Sequence, residues 1–220
     1  MGVIYNEKER PFTAYPGQLA RYLVSRFKIK PGQTLLDVGC GRGEFLRSFI
    51  DCGLAGYGAD RSQAAAVLCP TGTLRIADLE NERIPFENGF FDVVFSKSVI
   101  EHFYYPERLM QEIFRVLKPG GLVITMCPDW GSNIRIYFED YTHRTPFMLS
   151  SLRDIQLISG FSNVHCELFR QLPVLWSNPW LVPLSAFVRL FAPTALKPHS
   201  KFIRFSKEIM LLSSAIKPKE

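Results

Sequence analysis

The chain has 220 residues, 47% hydrophobic and 21% charged, enough to bury a sizeable core and unlike the composition of a disordered chain. Its five cysteines, odd in number and without C-x-x-C spacing, exclude a disulfide framework and point to a reduced compartment. The net charge of +5 sits at the end of the chain, where residues 170–220 hold eight Lys/Arg against two Glu; that asymmetry favours an anionic surface or partner there.

The first residues include Glu7, Lys8, Glu9 and Arg10 and no apolar run, so a signal peptide is not expected, and Asn6 breaks a myristoylation-like start. Leu19, Tyr22, Leu23 and Phe27 recur at helical spacing and predict a helix over 16–28. Thr34 to Val38 reads as the first strand, and Phe45, Leu46, Phe49 and Ile50 as the buried face of the helix after it, stopped at Gly53. Between them, Asp37-Val38-Gly39-Cys40-Gly41-Arg42-Gly43 places three glycines in one turn. Glycine combines free φ with no side chain, so a ligand comes close to backbone here, and the next helix points its unpaired N–H groups into the same turn. A dinucleotide turn reads G-x-G-x-x-G with no acid ahead of it, because a carboxylate repels pyrophosphate. Asp37 therefore indicates a ligand that is cationic or zwitterionic at that end, and disfavours a nucleotide-dependent oxidoreductase.

Strands follow at 54–59, 73–77, 92–96 and 122–127. Pro106 suits the first turn of a helix whose apolar face is Met110, Ile113, Phe114 and Leu117, and Pro119-Gly120-Gly121 is its stop. Pro146 to Ser159 reads as a helix closed by Gly160, with Asn163 to Phe169 and Ile209 to Ile216 as the last two strands. This β-α alternation predicts an α/β, doubly wound, mostly parallel sheet with helices on both faces. Ligands of such sheets bind outside the carboxyl ends of the strands, where all these turns fall.

The order of motifs is specific. Asp-x-Gly-x-Gly-x-Gly at 37–43 resembles motif I of the class I S-adenosylmethionine-dependent methyltransferases, of small-molecule type. Gly56-Tyr57-Gly58-Ala59-Asp60, Ile76-Ala77-Asp78-Leu79, Phe90 to Ser96 with Glu101-His102, and Arg115 to Gly121 resemble the later motifs in their proper order. The likeness covers roughly residues 16–170. It implies a Rossmann-like seven-stranded sheet with an antiparallel last strand in a single domain over 1–220. Residues 16–169 would be the cofactor core, 170–207 an insertion and 208–217 the last strand. It also implies roles: Asp37 at the methionine end of the cofactor, Gly39, Gly41 and Gly43 admitting it to backbone, and Asp60 on the ribose hydroxyls. Asp78 with the Leu79 amide would read the adenine edge, and Ser96 would lie beside the methyl group.

Methyl transfer from a sulfonium depends mostly on positioning, with a base helping a hydroxyl nucleophile. His143, in the polar cluster Asp140-Tyr141-Thr142-His143 after strand five, and His102 are the candidates for that base. His165 and His199 are not, and no His/Glu/Asp set shows metal-ligand spacing, so no metal site is expected. Strand four exits as Phe95-Ser96-Lys97-Ser98, neither Asn/Asp-Pro-Pro-Tyr nor Pro-Cys, which makes DNA bases poor candidate substrates. Basicity concentrated beyond residue 196 makes nucleic acid in general an unfavoured partner. The leading reading is transfer to a hydroxyl of a glycan- or lipid-linked small molecule. An RNA methyltransferase and a cofactor-binding protein without turnover are the alternatives.

Residues 172–193 are apolar but hold four prolines, so no membrane-spanning helix is expected there. Pro183 is expected to begin a short helix with Leu184, Phe187, Val188 and Phe191 on one face; Trp176 and Trp180 precede it, and Lys197, Lys201, Arg204 and Lys207 follow. Two readings stay open: a lid on the domain itself, or a contact with an anionic membrane. The expected location is the cytoplasm, with the inner face of the membrane as the peripheral alternative.

Overall fold

Successive residues of the central strands are apolar on both sides, which a sheet covered on both faces requires. The computed structural model, which describes residues 11–62, 69, 73–191 and 208–219, sorts them accordingly. On one face Leu35, Val93, Phe95, Ile124, Met126, Met210 and Leu212 pack with Leu19, Leu23 and Phe49. On the other, Leu36, Val38, Val94, Val123 and Leu211 pack with Leu109, Met110, Ile113 and Leu152.

The strands are β1 (Thr34–Val38), β2 (Ala55–Asp60), β3 (Leu74–Ile76), β4 (Phe91–Lys97), β5 (Leu117–Pro128), β6 (Ser162–Arg170) and β7 (Ile209–Ile216). They form one sheet in the order β3-β2-β1-β4-β5-β7-β6. The pairs from β3 to β5 are parallel, and β7 runs antiparallel between β5 and β6. Chain order reverses between β1 and β4, the switch point at which such sheets open a crevice beyond the strand ends. The expected doubly wound sheet with an antiparallel last strand is the one found.

The helices are α1 (Tyr15–Arg26), α2 (Glu44–Asp51), α3 (Pro106–Val116), α4 (Trp130–Asn133), α5 (Leu149–Ile158), α6 (Pro173–Ser177) and α7 (Val182–Phe191). Gly43, the residue before α2, takes a φ of +82°, which lets the glycine turn enter the helix directly. Among the boundaries that differ from the sequence reading, two have a visible cause. The helix α3 ends at Val116, before the Pro-Gly-Gly expected to stop it, because Leu117 is already extended and pairs with Phe91. Gly120 then donates to the Lys217 carbonyl at 2.8 Å, so the supposed stop is strand edge. The helix α5 starts at Leu149 rather than Pro146, because Phe147 is held in a bridge to Asp129 and its carbonyl accepts from the Trp130 amide.

Candidate functional site

At the carboxyl ends of β1 and β2 the glycine turn and two carboxylates face one another. Gly39, Gly41 and Gly43 all have positive φ, at +72°, +53° and +82°. Any Cβ on Gly39 would lie 2.3 Å from Val99 Cγ2, so this glycine also lets the turn pack on the segment after β4. Asp60 braces the turn: its Oδ2 accepts from the Gly41 amide at 2.9 Å and its Oδ1 from the Ser62 amide at 2.8 Å. Asp37 is buried, and its Oδ2 has no hydrogen-bond partner among the described residues. Burial pushes the Asp37 carboxyl well above the usual range, with the Asp60 charge adding to the shift and the Leu46 amide opposing it. A buried carboxylate with one oxygen left open beside a second carboxylate is a site prepared for a cationic group.

The other predicted contacts on this side are placed less simply. Asp78 closes its own turn, accepting from the Glu80 amide at 3.3 Å and the Asn81 side chain at 2.7 Å. Leu79 next to it is buried. Ser96 is buried one residue before the end of β4, and its hydroxyl has no partner among the described residues.

Beyond β4 the chain makes a short 3-10 turn, Ile100–His102, and the loop after α4 folds back over it. The Arg144 and Thr145 amides donate to the Glu101 carbonyl at 2.8 and 3.1 Å, and the Thr145 hydroxyl to the Phe103 carbonyl at 2.8 Å. These bonds set the His143 ring 5.0 Å from the His102 ring, centroid to centroid. Sequence spacing gave no metal-ligand set, yet Glu101, His102 and His143 offer ligand atoms all within 4.8 Å of one another. The spacing argument sees only local pairs, and here the loop supplies the third member. Glu101 is the residue that sequence reasoning passed over: it is fully buried and neither carboxylate oxygen has a partner among the described residues. Burial pushes its carboxyl up to about 8, although Lys97 and backbone amides pull it down. The one signal was its place in the otherwise apolar run Val99-Ile100-Glu101-His102-Phe103.

The ring tautomers follow from the hydrogen bonds, assigned from the network rather than seen. His143 Nδ1 lies 2.6 Å from the Tyr137 carbonyl, which can only accept, so Nδ1 carries the proton and Nε2 the lone pair. The Thr142 hydroxyl donates to Asp140 at 2.5 Å. His102 Nδ1, 3.0 Å from that hydroxyl oxygen, is then the donor in its bond, and its Nε2 too keeps a lone pair. Burial lowers the His102 pKa, against the opposing pull of the Thr142 backbone and Asp140.

The apolar segment divides in two. Trp176 is no surface anchor: it stacks on Tyr22 at 4.7 Å and its Nε1 donates to the Arg170 carbonyl, because α6 closes the core beside α1. Trp180, Leu184, Phe187, Leu190 and Phe191 are each more than half exposed. On α7 it is Ser185 that is buried, while Arg189 ties the helix to the Ser132 carbonyl at 3.1 Å. The expected apolar face of α7 is therefore an outer face. Lys197, Lys201, Arg204 and Lys207 lie outside the described residues. No helix among the described residues is long and apolar enough to cross a membrane.

A family model described as a methyltransferase domain matches residues 36–125, the span that holds every turn of the cofactor side. Residues 36–125 are thus a methyltransferase domain of the class I S-adenosylmethionine-dependent type. It is 32% identical over 161 residues to phosphoethanolamine N-methyltransferase 2 of Caenorhabditis elegans, covering 66% of this chain and 36% of that protein. It is 29% identical over 119 residues to the ubiquinone/menaquinone biosynthesis C-methyltransferase UbiE of Ralstonia pickettii, covering 48% and 47%. The chain thus spans less than half the length of these relatives. Among solved structures, a SAM-dependent methyltransferase from Archaeoglobus fulgidus shares the fold with a TM-score of 0.69 at 19% identity, covering 98% of this chain and 99% of that one. A Haemonchus contortus phosphoethanolamine N-methyltransferase 2 complex with phosphomonomethylethanolamine and S-adenosylhomocysteine gives 0.67 at 22% identity, over 91% and 52%.

The residues of this methyltransferase domain fit the family's cofactor. Asp37, buried and with its Oδ2 lacking a partner among the described residues, suits the ammonium of its amino-acid end. The glycine turn offers a backbone cradle, and Asp60, with one amide on each oxygen, keeps lone pairs for hydroxyls.

Proposed function

We propose that this chain transfers the methyl group of S-adenosylmethionine to a hydroxyl oxygen of a small-molecule acceptor, glycan- or lipid-linked, seated beside Ser96 and the His102–His143 pair. The observation that carries the reading is the paired imidazoles, each with its Nδ1 engaged and its Nε2 left as a base. When bound, the cofactor supplies a methyl group on a positively charged sulfur with a good leaving group behind it. Asp37, Asp60 and the glycine turn hold it, with Asp78 and Leu79 at the adenine end. His143 Nε2 draws the proton from the acceptor hydroxyl, and His102 orients the acceptor beside it. Relatives named for phosphoethanolamine and for ubiquinone/menaquinone support the small-molecule class. They are named as N- and C-methyltransferases, so the choice of oxygen rests on this chain's own histidines and on the plain exit of β4. Transfer of labelled methyl groups to a panel of lipid-linked, free-sugar and RNA acceptors tests it. Labelling confined to RNA would contradict the reading, as would cofactor binding with no transfer to any of the three.

The lipid-linked version adds a location: cytoplasmic, with α7 resting on the anionic inner face of a membrane. Support comes from the outward apolar residues of α7 and from the basic end of the chain. Each cation near such a surface contributes about 1 kcal/mol, screened by salt, so apolar face and charge are both needed. Co-sedimentation with phosphatidylserine vesicles should fall on raising salt, on Phe187→Glu, and on changing Lys201, Arg204 and Lys207 together to Glu. Equal recovery in the supernatant with anionic and neutral vesicles would make α7 a lid over a soluble acceptor.

A further inference from the structure

The Glu101 carboxylate poses a problem that a proton-accepting histidine pair does not solve. Both its oxygens are fully buried and lack a partner among the described residues, although two imidazoles stand within 4.8 Å. A neutral imidazole whose Nδ1–H is already spent on another acceptor presents only a lone pair. Neither ring can donate to Glu101 through its Nε2, and the three residues bring ligand atoms within 4.8 Å of one another. A positive charge between them, whether a proton on Glu101 or a metal ion, relieves such an arrangement.

We propose that Glu101, His102 and His143 bind a divalent first-row transition-metal ion, through one carboxylate oxygen and the two Nε2 atoms, and that the ion receives the acceptor's hydroxyl. Two imidazoles and one carboxylate suit zinc, iron, cobalt or manganese and leave open positions for oxygen ligands; the set is too rich in nitrogen for magnesium or calcium. Ligand atoms of a tetrahedral site stand roughly 3.3 Å apart, by the bond lengths of about 2.0–2.2 Å usual for these donors.

The surroundings are those of a metal site. Ligating histidines are held by a second bond from the other ring nitrogen to a carbonyl or carboxylate, which fixes the tautomer. His143 has this bond to the Tyr137 carbonyl, and His102 has it through the Thr142 hydroxyl to Asp140. Tyr137 is buried and its hydroxyl is tied to the Thr145 carbonyl at 3.0 Å, so the frame holding His143 is rigid. The inference rests on the reading that the acceptor enters here. With the ion bound, the two histidines act on the acceptor through it: its charge lowers the hydroxyl's pKa, and the proton passes to solvent water.

Cobalt(II) is the probe, because its visible absorption reports nitrogen and oxygen ligation without turnover. The expected result is one equivalent of Co²⁺ per chain, competed by Zn²⁺. Affinity should fall at least tenfold in Glu101→Gln and in His143→Ala, and more mildly in Thr142→Val, which keeps all three ligands but cuts the His102 support. His165→Ala serves as the control and should bind Co²⁺ as the wild type does. Unchanged affinity for S-adenosylhomocysteine in each variant certifies the fold. Equal Co²⁺ affinity in Glu101→Gln, His143→Ala and wild type would overturn the proposal. So would the absence of a Co²⁺ band combined with methyl transfer undiminished by a chelator, a result that leaves the methyl-transfer reading intact.

Discussion

The two sides of the crevice are built in opposite ways. On the cofactor side, Asp37, the three glycines and Asp60 stand at the ends of adjacent parallel strands, and the Gly41 amide is already bonded to Asp60. That half is one continuous piece of local geometry, braced before any ligand arrives. On the acceptor side, Glu101 and His102 leave β4 on a 3-10 turn, and His143 reaches them from a distant loop pinned by Arg144 and Thr145. The buried Glu101 carboxylate has no partner among the described residues. Under the proposed reading, binding the common cofactor is a property of the fold, whereas choice of acceptor is written in loops that the same sheet carries.

Breaking one side should leave the other intact, and the largest effect belongs to the cofactor side. Gly41 sits at φ +53°, a region hostile to a β-branched residue, and its amide is the one Asp60 holds. Gly41→Val should abolish measurable binding of S-adenosylhomocysteine by calorimetry while circular dichroism stays that of a folded chain. Normal binding by that variant would mean the turn merely packs.

On the acceptor side, His143→Ala should leave S-adenosylhomocysteine affinity within about twofold and lower turnover by the ~10²–10⁴ typical of lost acid–base help. Turnover equal to wild type would transfer the role to His102.

A smaller effect sharpens the contrast in charge. Burial holds the Asp37 pKa in the folded protein above its unfolded value. The stabilisation this gives the ligand-free protein is therefore complete below the unfolded pKa and is lost as pH rises through the folded one. An ammonium placed beside Asp37 pulls its pKa back down, so cofactor binding in the weakly acidic range should release a proton. The heat of binding should then vary with the buffer's ionisation enthalpy. Asp37→Asn should remove that dependence, stabilise the ligand-free protein near neutral pH, and weaken S-adenosylhomocysteine about tenfold, as expected for one charge-assisted bond. A binding heat independent of buffer in the wild type would show that Asp37 is already ionised.

Most of the fold was legible because a buried parallel sheet writes itself as apolar runs ending in turns. The glycine turn and its two carboxylates were legible for the same reason, since Asp37 and Asp60 lie at the ends of such runs. What sequence could not supply was contact between segments far apart in the chain. Leu117 looked helical by spacing, and only its pairing with Phe91 made it strand. Trp176 looked like a surface anchor until α6 was seen against Tyr22. Glu101 is the instructive case: a carboxylate is ordinarily assigned to the surface, and its burial follows from a loop whose path no local pattern encodes.

The account's central claim, that the cofactor side alone binds S-adenosylmethionine, is tested most directly by one calorimetric comparison. S-adenosylhomocysteine would be titrated into wild type, Asp60→Ala and His143→Ala under one set of conditions. Losing the charge-assisted bonds of Asp60 should cost about 1.5–3 kcal/mol of binding, while His143→Ala matches wild type within about twofold. Asp60→Ala binding as tightly as wild type, or a wild type that gives no heat, would contradict it.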